Sequence, residues 1–137
     1  MAARDADAPR YAYVLAVCVG LFALPAAFAL VDRMAAGALD DFITGAPVRD
    51  YRAACVAAGL FALANAVLGA AFGLAWPEKS WRWGVWLCAV YVCLVSYIAY
   101  GLWDFLAWTA LTLAPSCAGA YVAGRAHLKF TAVDESG

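Results

Sequence analysis

The sequence predicts an all-α integral membrane bundle of four transmembrane helices, running up and down over about 11–32, 51–76, 81–101 and 104–124. Three observations carry that expectation. Of the 137 residues, 67% are hydrophobic and 14% charged, with mean hydropathy +0.79, whereas a soluble domain is about half apolar and about a quarter charged. Asp, Glu, Lys, Arg and His are absent from residues 11–31, 53–77, 83–103 and 105–124, and each run reaches the roughly 20 residues that a helix needs to cross the hydrocarbon core. Tyr and Trp gather at the ends of these runs, at the level where amphipathic rings favour the headgroups.

Residues 1–10 are small and charged and read as a solvated tail, with Pro9 just ahead of the first apolar run. The first crossing opens on Tyr11 and Tyr13 and contains Pro25, which removes one backbone hydrogen bond and kinks the helix. Arg4 and Arg10 before an apolar stretch, followed by Ala27-Phe28-Ala29, also fit a secretory signal with a cleavage site near residue 29; the uncharged run is longer than such a signal needs, and cleavage would leave three crossings. Residues 32–52 form the longest connection, where Met34, Leu39, Phe42 and Ile43 among Asp40, Asp41 and Arg33 suit a short interfacial helical turn. Thr44-Gly45-Ala46-Pro47 reads as a helix start, with Thr44 or a neighbour capping and Pro47 in the first turn. The second crossing then runs to Trp76.

Pro77-Glu78-Lys79-Ser80 is a tight turn in which Ser80 suits the cap of the third crossing, and Trp76, Trp81, Trp83 and Trp86 crowd it as an interfacial belt. Gly101 suits a left-handed end of the third crossing and Asp104 the cap of the fourth, which leaves almost no loop between them. Tyr97, Tyr100, Trp103 and Trp108 mark the opposite interface. The fourth crossing is expected to end at Gly124, with residues 125–137 as a second solvated tail.

Basic residues set the orientation. Arg4, Arg10, Lys79, Arg82, Arg125 and Lys129 fall at one end of such a bundle and Arg33, Arg49 and Arg52 at the other, which puts both termini in the cytoplasm of a prokaryotic inner (plasma) membrane. A net charge of −1 argues against nucleic acid as a partner, which wants a basic patch. The partners expected are the lipid bilayer and other integral membrane chains or further copies of this one.

Between helices in lipid there is little hydrophobic drive, so close approach of backbones supplies the attraction. Asn65, Gly69 and Gly73 recur every fourth residue in the second crossing, and Ser116, Ala120 and Gly124 do so in the fourth, so these six are the expected helix-packing residues. Asn65 is the strongly polar side chain deepest in any crossing and needs a partner: Ser96, Thr109, Thr112, Ser116 or a carbonyl freed by a proline such as Pro115. The same Asn65, Ser96, Thr109, Thr112 and Ser116 are the candidates for the polar lining of a small oligomeric channel or carrier. A broken helix at Pro115 would be the corresponding substrate site.

Cys18, Cys55, Cys88, Cys93 and Cys117 lie in or beside apolar runs without a Cys-x-x-Cys spacing, and read as small apolar filler. His127 lies in the tail, where it cannot ligate a haem inside the bilayer. No phosphate loop, nucleophile elbow or zinc motif is present, and no ionisable residue sits inside an apolar run. By size and helix count the chain is similar to small multidrug-resistance transporters, which depend on a Glu in the first crossing; residues 11–31 hold none. It is also comparable in size to bacterial fluoride channels, without a matching motif. The Trp-rich turn 76–83 and the ending 117–125 resemble small four-helix prokaryotic membrane proteins, a likeness that implies a fold and no activity. The expectation is a non-enzymatic structural or accessory membrane protein without a cofactor.

Overall fold

The computed structural model describes residues 8–98 and 101–134, and these are helical with no strand among them. Five helices follow in order: α1 (Arg10–Met34), α2 (Ala38–Thr44), α3 (Tyr51–Ala75), α4 (Trp81–Ile98) and α5 (Leu102–Asp134). The expected tail residues 1–7 and 135–137, and Ala99 and Tyr100 at the end of the third expected crossing, lie outside the described residues.

Helices α1, α3 and α5 are long and apolar enough to cross a membrane. At 1.5 Å per residue, the 25 residues of α1 and α3 span about 37 Å. Helix α4 has a shorter apolar stretch, Trp81–Leu94. Three candidate spans therefore stand where the sequence predicted four.

Several boundaries differ from expectation, each for a local reason. Thr44 closes α2 and does not cap α3: its Oγ1 donates back to the Asp40 and Asp41 carbonyls, and Gly45 takes φ +71° to end the helix. The cap of α3 is Asp50, whose Oδ1 accepts from the amides of Arg52 (2.9 Å) and Ala53 (3.1 Å). Asp104 does not cap α5, which begins two residues earlier, and stands in its first turn, where a carboxylate favours the helix dipole. Gly124 does not end α5. The helix continues ten residues through Arg125-Ala126-His127-Leu128-Lys129, because Gly124 is buried against Ser80 and Pro77, and Ala, Leu, Lys and Arg sustain a helix.

The four long helices form a ring in which α3 packs most extensively on α5, α5 on α4 and α4 on α1, while α1 closes on α3 over a shorter stretch. Helix α2 lies across one end, with Leu39 and Ile43 buried against Ala57, Phe61 and Ala107. The turn into α2 uses left-handed conformations at Ala36 and Gly37, and its first turn is tied to α1 by the Asp40 amide donating to Asp32 Oδ1 at 2.9 Å. Trp103 fastens the other side, with its Nε1 donating to the Phe42 carbonyl at 3.2 Å.

Two of the expected interfacial aromatics instead face the bundle interior, Trp83 buried and Trp108 half-buried. Trp108 packs against Phe28, Phe61 and Tyr91, with ring centroids 4.7, 6.0 and 5.5 Å away, and so touches all three other long helices. Trp83 is buried under Tyr13, Phe72 and Trp76 and donates from Nε1 to the Trp76 carbonyl at 3.0 Å. Trp81, Trp86, Tyr97 and Trp103 stay exposed at the bundle surface.

Candidate functional site

The polar residues singled out from the sequence converge in part on the seam between α3 and α5. Asn65, Thr112 and Ser116 are fully buried there. Ser116 Oγ donates to the Asn65 carbonyl at 3.2 Å, and Cys88 of α4 reaches Ser116 Oγ with its Sγ at 3.5 Å. The site thus joins three helices through one hydroxyl.

Asn65 makes the most telling contacts. Its Nδ2 donates to the Phe61 carbonyl of its own helix at 2.8 Å and to the Leu111 carbonyl of α5 at 3.2 Å. Leu111 stands four residues before Pro115, so its carbonyl is the one that Pro115 leaves without a helical amide. A side-chain amide from a neighbouring helix supplies the missing donor. Two carbonyls on the same side fix the amide's orientation, since a flipped group would set oxygen against oxygen. The opposite atom, Asn65 Oδ1, is enclosed without a hydrogen-bond partner.

Of the other candidates for a polar lining, Thr112 is buried with this group, while Thr109 and Ser96 do not join it. Thr112 Oγ1 donates to the Trp108 carbonyl at 2.7 Å, and Thr109 Oγ1, half-buried, to the Phe105 carbonyl at 2.7 Å. Ser96 is exposed and its Oγ donates to the Val92 carbonyl at 2.6 Å. Each hydroxyl is used within its own helix, four residues back.

Around the amide the seam is built from missing side chains. A Cβ on Gly69 would collide with the Ser116 carbonyl, one on Gly73 with the Ala120 carbonyl, and one on Gly124 with the Ser80 side chain. Gly69, Gly73, Ser116, Ala120 and Gly124 are all buried. Three more glycines act the same way and were not singled out from the sequence: Gly119 against the Ala66 carbonyl, Gly84 against the Cys117 backbone and Gly20 against the Leu87 carbonyl. A signal for two of them was present. Ala12, Ala16 and Gly20 on α1, and Ser80 just before α4 with Gly84 and Cys88 on it, repeat at four-residue spacing and are buried. Cys18, Cys55 and Cys93 face outward and Cys117 is half-buried.

A second group of ionisable residues gathers about α2. Burial raises the Asp40 pKa above the ordinary aspartate value, and the nearby carboxylates of Asp32, Asp41 and Asp104 raise it further. Asp104 is itself buried. No family model matches the chain, and no curated protein or solved structure is similar to it at a significant level.

Proposed function

We propose that the chain is a small polytopic membrane protein of structural or accessory type. It packs in a larger integral complex or against further copies of itself and has no catalysis of its own. The observation that carries this reading is the use made of the polar side chains at mid-bundle: Asn65 and Ser116 are spent on joining α3 to α5, and the flanking glycines leave backbone against backbone. The outer surface supports it. Phe22, Leu30, Leu63 and Val67 stay largely exposed, and need lipid or another apolar chain to cover them.

In this reading α4 is the fourth crossing. It lies beside both α1 and α5, with Leu87, Cys88 and Tyr91 on its inner face. Short connections tie it to α3 and α5, which supports a traverse between two neighbours that span. Basic residues then favour a prokaryotic plasma membrane with both termini in the cytoplasm. The channel or carrier reading gains less support, because Ser96 is exposed, Thr109 bonds its own helix and neither adjoins Asn65.

The test is native mass spectrometry of the protein purified from its membrane at native expression level. A stoichiometric larger partner, or a homo-oligomer that passes no solute in liposomes, is the expected result. Solute flux or turnover by the purified protein alone sinks the proposal.

A further inference from the structure

Where α1 closes on α3, the last turns of α1 and the first turns of α3 leave a crevice of about 370 Å³. Val31, Met34, Val56 and Leu60 line it, with Asp50 and Arg52 at its mouth. It opens sideways: Met34, Val56 and Leu60 border it and yet remain 74%, 62% and 45% exposed. From Arg52 to Leu60 the groove descends eight residues of α3, about 12 Å along the axis, and passes from a guanidinium to purely aliphatic side chains. Polar at the interface and apolar toward mid-membrane is the profile of a phospholipid.

The charges at the mouth point the same way. Asp50 is held by the Arg52 and Ala53 amides and Asp32 by the Asp40 amide. Asp32, Asp40, Asp41 and Asp104, which crowd around α2, do not line the crevice. Arg52 makes no ion pair among the described residues, and neither do Arg33 and Arg49, the sequence neighbours of Met34 and Asp50. We infer that this crevice holds one glycerophospholipid, an acyl chain lying along Val31, Val56 and Leu60 and the phosphate on Arg52. The inference rests on the reading that α1 and α3 cross a bilayer.

The full chain, purified in mild detergent, is titrated with phosphatidylglycerol, diacylglycerol or inorganic phosphate and weighed by native mass spectrometry. One phosphatidylglycerol is expected to be retained per chain, with diacylglycerol held at least about tenfold more weakly and phosphate alone not at all. Arg52→Gln, at an exposed position that leaves packing intact, is expected to weaken phosphatidylglycerol retention about tenfold. Val56→Trp fills the crevice and abolishes it. Equal retention by wild type and Arg52→Gln, or a second copy of the chain displaced by Val56→Trp while no lipid binds, overturns the inference. An alkaline carbonate wash of the membranes separates the two levels: release of the wild type defeats the membrane-spanning reading itself, whereas a chain that resists the wash but retains no lipid defeats the lipid site alone.

Discussion

Pro115 takes one amide out of α5, and Asn65 replaces it from α3. That exchange makes the two residues energetically dependent on each other, because the Leu111 carbonyl has a side-chain donor only while Asn65 is present. Asn65→Leu is expected to cost about 1 kcal/mol, between the average of roughly 0.6 kcal/mol and the maximum of roughly 1.7 kcal/mol for interhelical hydrogen bonds in membranes. In a Pro115→Ala background the restored amide satisfies Leu111 from within α5, so the same substitution costs less, with a coupling energy of about 0.5 kcal/mol or more. Equilibrium unfolding of the four proteins in mixed micelles measures the cycle, and strictly additive costs would contradict the role assigned to Asn65. The need for a partner was legible in the sequence, since an amide in an apolar run has few options. Which of the candidates it takes was not, because that depends on the register between α3 and α5, which a single chain's periodicity leaves open.

At the scale of the elements, the α3–α5 seam is set by positions where a methyl group has no room. Gly69→Ala drives a Cβ into the Ser116 backbone, which cannot swing aside as a side chain tip can, and is expected to destabilise the bundle by about 1–3 kcal/mol. Gly59 lies on the same helix, with open space beyond it. Gly59→Ala is expected to be neutral or to stabilise by up to about 1 kcal/mol through helix propensity. Thermal denaturation in detergent compares the two, and equal shifts would refute the close-packing account. Helix α2 behaves differently. The Asp40 pKa is raised in the folded chain, so its contribution to stability is fully present below the unfolded aspartate value, near pH 4, and is lost as pH rises through the folded one. Asp40→Asn should therefore slow amide exchange across residues 38–44 at pH 7, after correction for intrinsic rates, with the difference from wild type fading below about pH 4. A difference that grows toward low pH would contradict the stated cause. The long apolar helices were readable from charge-free runs, whereas the ends were not. Asp50 rather than Thr44 caps α3, and α5 passes Gly124, because capping and packing glycines look alike until the neighbouring helix is known.

For the whole molecule, the ring α1–α4–α5–α3 is closed by Trp108, which touches Phe28, Phe61 and Tyr91 on the three other long helices. With α4 held in that ring by Trp83, Leu87 and Tyr91 on its inner face, the number of crossings becomes a question of where the chain ends. Three crossings place the two termini on opposite sides of the membrane, and four place them on the same side. The proposed fourth crossing therefore predicts that tags at the N- and C-termini are protected together, while an epitope between residues 45 and 48, on the connection from α2 to α3, is exposed on the other face. Basic residues add the sign. Arg10, Lys79, Arg82, Arg125 and Lys129 share one end, against Arg33, Arg49 and Arg52 at the other, so the termini should face the cytoplasm. Fusing alkaline phosphatase, which matures only outside the cytoplasm, is expected to give an inactive enzyme at the C-terminus and an active one within residues 45–48. Activity at the C-terminus together with a cytoplasmic N-terminal tag would mean that α4 turns back, leaving α1, α3 and α5 as the three spans. Activity at both termini and none at 45–48 would instead keep four crossings and invert the orientation.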